Sequence, residues 1–308
     1  MSKDTLCPAC NANNHAVAIQ ADAEGKLLLN KLSKEKYNCV LDEWVEKNEV
    51  TILRCFQCGH HWYDRKPDES ILFDMYDSLA LNNSCNKPNV NGARKHPNIG
   101  NIVKNLLQLV SNKKVPHPRL LDFGAGSGKW ANEFVEQGFN VVAYEPSKVR
   151  SGTSASGYEI CNEFNSLEGR EFDVINMEQV LEHVPDPAFV LEQLRKFCVK
   201  DTVVRISVPN ISEESNNSNF WEGWPYANTK LHVMSPFEHL HGFTAKSLES
   251  LILQAGYKKL SGFEVWRTHP IYSIRDKVKF LLPQFGQTTL LIRLSDSDMS
   301  VSQNKVKS

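Results

Sequence analysis

Short hydrophobic runs alternate with amphipathic segments through the central part of the chain. The runs have the length and composition of buried strands, whereas the segments between them have helical spacing. Asp186 and Pro187 supply the cap and first residue of one helix, which is predicted to bury Val190, Leu194 and Phe197. Strands that alternate with helices predict an α/β fold with a parallel sheet covered on both faces. The predicted strands are Arg119–Phe123, Asn140–Tyr144, Gly157–Cys161, Phe172–Met177 and Thr202–Val208, and further helices are predicted at Lys129–Gln137 and Thr244–Ala255.

Two further strand-like runs follow, Gly262–Arg267 and Gln287–Leu294, with no long helix required between them. Strands joined without a helical crossover pair antiparallel, so these runs predict a hairpin at the end of the sheet. Residues 295–308 are polar and have no hydrophobic periodicity, which predicts a disordered tail.

The N-terminal third has a different pattern. Apolar residues at helical spacing predict helices over about Glu69–Leu81 and Asn101–Val110. Residues 82–101 between them are rich in Asn, Lys and Pro and are typical of a connection or cover. The predicted domains are therefore a cysteine-bearing module at 1–66, a helical linker or cover at 67–115, the α/β domain at 116–294 and the tail.

Charge and hydropathy exclude several classes of protein. The formal net charge of −1 gives no global field for nucleic acid, which argues against DNA or RNA as the main partner. The sequence has neither an apolar run that would span a bilayer nor a signal-like N-terminal segment, so we expect a cytoplasmic protein. In a reducing compartment the eight cysteines are expected to be thiols or metal ligands.

Four cysteines form two Cys-x-x-Cys pairs, Cys7/Cys10 and Cys55/Cys58. Each pair places two thiolates on one tight turn, and two such turns complete a tetrahedral zinc sphere. With four protein ligands the predicted Zn²⁺ site is closed, hence structural. The 44 residues between the pairs exceed a minimal ribbon, so an insertion is expected there.

A glycine-rich turn follows the first predicted strand of the α/β region and contains Gly124, Ala125, Gly126 and Gly128. Glycines at a strand-to-helix turn let backbone N–H groups approach a ligand at the positive end of a helix. The Gly-x-Gly-x-Gly spacing differs from the Gly-x-Gly-x-x-Gly of dinucleotide enzymes, which makes an NAD-dependent enzyme a distant alternative.

Two acids accompany this turn. Glu145 lies at the end of the second strand, at the offset of about 20 residues expected for a ribose-binding carboxylate. Asp122 ends the first strand, where a carboxylate can pair with the ammonium of an amino-acid moiety. The alternative is a surface glutamate beside an ordinary βα turn.

Together, four segments resemble the class I S-adenosylmethionine (SAM)-dependent methyltransferases (EC 2.1.1), in the group with a "VLEHV-DP" signature. The resemblance covers about residues 119–294. It implies a Rossmann-like seven-stranded sheet of order 3-2-1-4-5-7-6 with an antiparallel last strand, and SAM as cofactor. The segments are Leu121–Gly128, Phe172–Pro187, Ile206–Asn210 and His239–Thr244.

The resemblance also carries residue roles. It implies that Met177 and Glu178 flank the bound cofactor and that residues near Asn162–Phe164 contact adenine. Several small-molecule and sugar methyltransferases resemble this arrangement, with a zinc-binding N-terminal module. In such enzymes the sulfonium carries the reactivity, and the protein aligns the methyl acceptor.

A general base is needed only if the acceptor must lose a proton. The candidates are His183, His239 and His241, with Glu178 and His232 behind them, and the alternative for each is a structural hydrogen-bonding role. The long insertion 210–241 carries Trp221, Trp224 and Tyr226, which either stack on the acceptor or bury one another in a lid.

Three functions remain open on the sequence. The favoured one is methylation of a small-molecule, sugar or glycan acceptor. The second is methylation of RNA or protein guided by the zinc ribbon, and the third is a non-catalytic SAM-binding or zinc-ribbon adaptor. The near-neutral charge and the aromatic insertion favour the first.

Overall fold

The computed structural model describes residues 6–85, 99–111, 117–148, 157–211, 219–227, 230–262, 264 and 287–295. The chain forms two compact units. The ribbon unit comprises residues 1–88, 181–188 and 208–254, and the sheet unit comprises 89–180, 189–207 and 255–308. In chain order the elements are β1 (His15–Gln20), α1 (Ala23–Lys36), α2 (Asp42–Lys47), β2 (Thr51–Cys55), β3 (His61–Tyr63), α3 (Glu69–Cys85), α4 (Ile99–Ser111), β4 (Arg119–Phe123), α5 (Lys129–Glu136), β5 (Asn140–Tyr144), β6 (Glu159–Cys161), β7 (Phe172–Glu178), α6 (Pro187–Leu194), β8 (Cys198–Pro209), β9 (Tyr226–Ala227), β10 (Lys230–Leu231), β11 (His241–Gly242), α7 (Ala245–Gln254), β12 (Tyr257–Lys259) and β13 (Gln287–Leu294).

The ribbon unit is built on an antiparallel sheet of order β1-β2-β3-β11. The insertion expected between the cysteine pairs contains β1, α1 and α2. Helix α1 begins after Asp22, whose carboxylate accepts the Gly25 N–H at 2.8 Å and so caps the helix. The core of this unit joins Leu32 and Met75 from the N-terminal part with Trp224, Phe237 and Leu240 from the late insertion. The insertion is therefore part of the hydrophobic core of the ribbon unit.

The sheet unit contains seven strands in the order β6-β5-β4-β7-β8-β13-β12. Strands β4 to β8 pair parallel, and β12 pairs antiparallel with β13. Numbered along the α/β region alone, this is the order 3-2-1-4-5-7-6 implied by the resemblance, which confirms the predicted fold. Helices α4 and α5 cover β4 and β5 with buried residues that include Val103, Leu106 and Phe134.

The predicted elements differ from the structure in two places. The predicted strand Gly262–Arg267 is wrong, because β13 pairs with Tyr257–Lys259, which begins directly after the helix-ending Gly256. Of the predicted segment only Gly262 and Glu264 are described, and both have helical backbone. In α6, Leu191 is buried in place of Val190, because Leu191 and Leu194 share one helical face.

Other sequence predictions concern the end of α3 or residues outside the described ranges. Helix α3 extends to Cys85, four residues beyond its predicted end. Residues 296–308, predicted to be a disordered tail, and most of the predicted 82–101 connection lie outside the described residues. In the described part of the chain, every helix is too short or too polar to cross a bilayer.

Candidate active site and metal centre

The glycine turn at the carboxyl end of β4 depends on backbone conformations that side chains rarely adopt. Gly124, Gly126 and Gly128 all have positive φ, at +75°, +54° and +76°. An added Cβ would lie 2.6 Å from Val180 on Gly124 and 2.1 Å from the Tyr158 hydroxyl on Gly128, but would meet nothing within 4 Å on Gly126. Gly124 and Gly128 thus permit close packing, whereas Gly126 borders open space into which a ligand can approach the backbone.

Backbone hydrogen bonds tie this turn to the end of β5. The N–H groups of Gly124 and Ala125 both donate to the Tyr144 carbonyl, at 2.8 and 3.0 Å. The Gly126 N–H donates to Glu145 Oε2 at 2.9 Å. The turn and the predicted ribose-binding acid therefore form one hydrogen-bonded assembly.

Glu145 is buried and held in place on both sides. Its Oε1 accepts the Ser147 N–H at 3.1 Å, and its carbonyl accepts from Asn162 Nδ2 at 2.6 Å. A carboxylate offers about four lone-pair sites, so two of them remain for hydroxyl donors of a ligand. The sequence pattern missed Asn162 as a support for Glu145, since an isolated Asn after a strand has no specific signature.

A shallow cavity opens between the glycine turn and the ends of β5 and β6. Tyr158 and Ile160 provide its apolar side, and the Glu145 carboxylate provides its acidic side. Phe164 lies beyond β6 with its ring 5.9 Å from Tyr144 and 6.4 Å from Phe123, so the predicted adenine region adjoins an aromatic cluster. The cavity is lined by Ala125, Gly126, Gly128, Ala143, Glu145, Tyr158 and Ile160.

Asp122 lies beneath the turn and is almost completely buried, at 2% exposure. Its Oδ1 accepts from Asn176 Nδ2 at 2.8 Å, whereas Oδ2 has no hydrogen-bond partner among the described residues. Burial raises the pKa of this carboxyl to about 7. An orphaned carboxylate oxygen next to the glycine turn fits the expected cationic ligand group.

Arg205 on β8 bonds both Asn176 and Glu178, and Asn176 in turn bonds Asp122. Its guanidinium donates to Asn176 Oδ1 at 2.9 Å and to Glu178 Oε2 at 2.6 Å. The same group lies over the Trp130 ring, 4.4 Å from its centroid. An arginine inside a hydrophobic strand has no sequence signature for such a role, and sequence reasoning missed it.

Met177 and Glu178 have different surroundings. The Met177 side chain is fully buried, which leaves its backbone as the part able to flank a ligand, whereas the Glu178 side chain is 18% exposed.

The ribbon unit holds a second polar cluster, formed by Glu182, His183 and His239. Candidate ligand atoms of these residues all lie within 4.8 Å of one another. His183 Nδ1 donates to the Glu238 carbonyl, and its Nε2 lies 3.8 Å from Glu182 Oε1. The rings of His183 and His239 meet edge to face with centroids 4.7 Å apart.

Burial controls the protonation of His239. It lowers the pKa of His239 to about 4, so this imidazole is neutral at physiological pH. Tyr76 adds a hydroxyl that donates to the Glu238 carbonyl at 3.1 Å, and its ring lies 5.4 Å from that of His183. Sequence reasoning missed Tyr76 and Glu238, since Tyr76 lies in a helix recognised only by its apolar face.

His241 and His232 lie in closed surroundings. His241 is 1% exposed, and its Nδ1 is 3.1 Å from His60 Nε2. His232 Nε2 bonds the Phe220 carbonyl, and Nδ1 accepts the Met234 N–H, so both ring nitrogens are used. This geometry favours a structural role for both residues.

Acid should destabilise the ribbon unit through these histidines. Burial lowers the pKa of His239 to about 4 and of His241 to about 3, so the unfolded chain binds their protons more readily. The stabilisation is complete above about pH 6.5 and is lost as the pH falls toward those values. Because glutamine does not titrate, His239→Gln should lose about 3 kcal/mol less free energy of unfolding than the wild type when the pH falls from 7 to 4.

Urea unfolding of the wild type and this variant between pH 4 and 7 measures the effect. His117→Gln, at an exposed position, is the matched control and should follow the wild-type slope. Parallel pH profiles for the wild type and His239→Gln would contradict the prediction.

The predicted acceptor-binding aromatics contribute mainly to packing. Trp224 is 4% exposed, and its Nε1 donates to the Met234 carbonyl at 2.8 Å. Trp221 stacks on His232, with centroids 5.1 Å apart, and both Trp221 and Tyr226 remain partly exposed. Trp224 is thus a core residue, whereas Trp221 and Tyr226 keep accessible ring surface.

The four paired cysteines converge on one point in the ribbon unit. Cys7 Sγ lies 3.6 Å from Cys58 Sγ, and Cys10 Sγ lies 3.6 Å from Cys55 Sγ. Tetrahedral zinc with Zn–S bonds of about 2.3 Å has S–S edges of about 3.8 Å. The donor set and its spacing therefore fit Zn²⁺.

Comparisons with known proteins agree with the fold. Residues 96–261, more than half of the chain, match the family model described as "Methyltransferase domain". No curated protein matches the sequence. The plantazolicin methyltransferase BpumL, solved with a pentazolic desmethylPZN analog and S-adenosylhomocysteine (SAH), is similar in fold (TM-score 0.51, 14% identity, 73% of this chain and 93% of that chain).

Two further structures are similar at lower scores. They are the magnesium protoporphyrin IX methyltransferase ChlM from Synechocystis PCC 6803 with bound SAM (TM-score 0.44, 13% identity, 75% of this chain, 99% of that chain) and the 1,6-didemethyltoxoflavin-N1-methyltransferase of Burkholderia thailandensis (TM-score 0.46, 15% identity, 78% and 98%). The extent of the family match and the strand order together establish that this chain belongs to the methyltransferase-domain family.

Proposed function

We propose that this methyltransferase takes its methyl group from SAM, bound at the carboxyl ends of β4, β5 and β7. The observation that carries the proposal is the glycine turn, with the open face of Gly126 next to the anchored Glu145 carboxylate. Glu145 accepts the ribose hydroxyls, Asp122 faces the ammonium, and the Asn162–Phe164 segment borders adenine. Bound SAM supplies a methyl group made electrophilic by its sulfonium.

The acceptor is proposed to be a small molecule, sugar or glycan whose oxygen or carbon loses a proton during transfer. The support is the cluster of His183 and His239 beside Glu182, in which burial lowers the pKa of His239 and keeps that ring neutral. His183 Nδ1 donates its hydrogen to the Glu238 carbonyl, so Nε2 is the ring nitrogen that would take the proton from the acceptor. The closed surroundings of His241 leave it outside this role.

The four cysteines are proposed to hold a structural zinc ion that stabilises the ribbon unit. All four ligand positions of a tetrahedral ion are occupied by thiolates, so no position remains for a substrate or a water. Zinc here therefore supports the unit that carries the histidine cluster and takes no part in methyl transfer.

The test of the proposed base uses His183→Gln and His239→Gln in zinc-loaded protein. Transfer of tritiated methyl from SAM is measured on a panel of acceptors that begins with nucleotide sugars. A lost general base typically lowers turnover by about 10²- to 10⁴-fold, and SAM affinity should stay within about twofold of wild type.

His117→Gln is the matched control and should retain full turnover. Wild-type turnover in both cluster variants would reject the proposed base, even if SAM binding and the zinc content are as expected.

A further inference from the structure

Four polar side chains form a buried network on three adjacent strands of the sheet unit. Asp122 lies on β4, Asn176 and Glu178 lie on β7, and Arg205 lies on β8. Asn176 donates to Asp122 and accepts from Arg205, which also donates to Glu178. Asn176 is fully buried, and Arg205 and Asp122 are 1% and 2% exposed. A network of this kind in the interior must be close to electrically neutral to be stable.

The charges of this network do not balance when both acids are ionised, since Arg205 alone opposes Asp122 and Glu178. Around Asp122, β7 contributes Glu178, which disfavours its charge, and β8 contributes Arg205, which favours it. The Ala131 backbone on helix α5 also favours the ionised carboxylate. Burial has the largest effect and raises the pKa of Asp122 to about 7. The carboxyl is therefore about half protonated at neutral pH.

Resting on the proposed SAM function, we infer that this network exchanges the proton of Asp122 for a cationic group of the ligand, with Arg205 as the positioning residue. The proton leaves Asp122 for the buffer, and the carboxylate thus formed pairs with the cation through Oδ2, a buried atom with no hydrogen-bond partner among the described residues. Arg205 holds Glu178 and Asn176, and through Asn176 it orients Asp122. The Trp130 ring, whose centroid lies 4.4 Å from the guanidinium carbon, stabilises the charge of Arg205.

SAM offers two candidate cationic groups for this exchange. SAM carries an ammonium and a sulfonium, whereas its product SAH carries the ammonium alone. Proton release with both ligands assigns the exchange to the ammonium, and release with SAM alone assigns it to the sulfonium.

Isothermal titration of the zinc-loaded protein in phosphate and in Tris, whose ionisation enthalpies differ, counts the protons released on binding. With the Asp122 pKa at about 7, about half a proton should be released at pH 7 and almost none at pH 9, where the group is already ionised. Binding of SAM with no buffer dependence between pH 6 and 9 would overturn the inference and leave the proposed function intact. Failure of SAM to bind would reject both.

Three variants separate the roles in the network. Asp122→Asn is isosteric and should abolish proton release. Arg205→Met removes the cation that favours Asp122 ionisation, so half-maximal release should move to higher pH, with SAM affinity weakened at least about tenfold. Arg205→Lys should restore the pH midpoint in part.

Arg170→Met, which removes a surface ion pair with Glu159, is the matched control and should behave as wild type. An unchanged release profile in Arg205→Met would reject the positioning role. If Arg205→Met does not fold, persistent release in Asp122→Asn would overturn the exchange, and its loss would support it.

Discussion

Cys10→Ser is expected to unfold the ribbon unit at temperatures where the wild-type protein is folded. The variant leaves three thiolates around the proposed zinc, and the Cys10–Cys55 edge of 3.6 Å is lost. Structural zinc contributes about 10 kcal/mol or more to the folding of small zinc-binding domains, so a weakened site removes much of the stability of this unit. Zinc content measured by mass spectrometry should fall from one ion per chain toward zero, with a lower melting temperature.

Cys39→Ser is the matched control, because Cys39 is an exposed thiol outside the four-cysteine cluster. It should retain one zinc and the wild-type melting temperature. Chelation of the wild-type metal should reproduce the Cys10→Ser melting curve. A Cys10→Ser protein with a full zinc content, or a metal-free wild type with unchanged stability, would contradict the zinc assignment.

Glu145→Ala is expected to weaken SAM binding by about 100-fold, measured by equilibrium dialysis with radiolabelled SAM. The carboxylate makes charge-assisted hydrogen bonds to the glycine turn and is proposed to make two more to the ribose. Each such bond contributes about 1.5 kcal/mol or more, so two lost ribose contacts account for the factor. Loss of the Gly126 anchor adds disorder of the turn.

Glu171→Ala is the control for this variant, since Glu171 is an exposed acid directly before β7 and outside the segments proposed to contact SAM. It should bind SAM as the wild type does. Equal affinities for Glu145→Ala and the wild type would show that this acid does not contact the donor.

The sheet unit was predictable because its signals are local. Each parallel strand is a short apolar run, and the glycine turn with Glu145 marks the carboxyl edge where ligands bind in such sheets. The one wrong strand, Gly262–Arg267, shows the limit of this approach. Its apolar run is typical of a strand. In the structure, however, the strand that pairs with β13 is β12, which begins directly after Gly256, just past the end of α7.

The ribbon unit was less predictable because it is assembled from distant segments. The sequence left open whether the aromatic insertion stacks on the acceptor or buries its own aromatics, and Trp224 packs in a core with Leu32 and Met75, which lie about 150 to 190 positions earlier. Contacts at such separation leave no periodicity in the sequence. The same is true of Tyr76 and Glu238, which meet His183 only in the folded chain.

The buried network below the glycine turn illustrates a related limit. Asp122 was expected to meet an ammonium, but Asn176 and Arg205 could not be associated with it, since polar residues within apolar strands have no pattern of their own. Their pairing follows from the parallel register, which sets Asp122 opposite Asn176 and Asn176 opposite Arg205. Register is a property of the assembled sheet.

The central claim, that this methyltransferase uses SAM, is tested most directly by calorimetric titration of the zinc-loaded wild-type protein with SAM and, separately, with NADH. The account predicts one SAM bound per chain, with a dissociation constant in the micromolar range, and no heat of binding with NADH. Absence of SAM binding, or binding of NADH in its place, would contradict it.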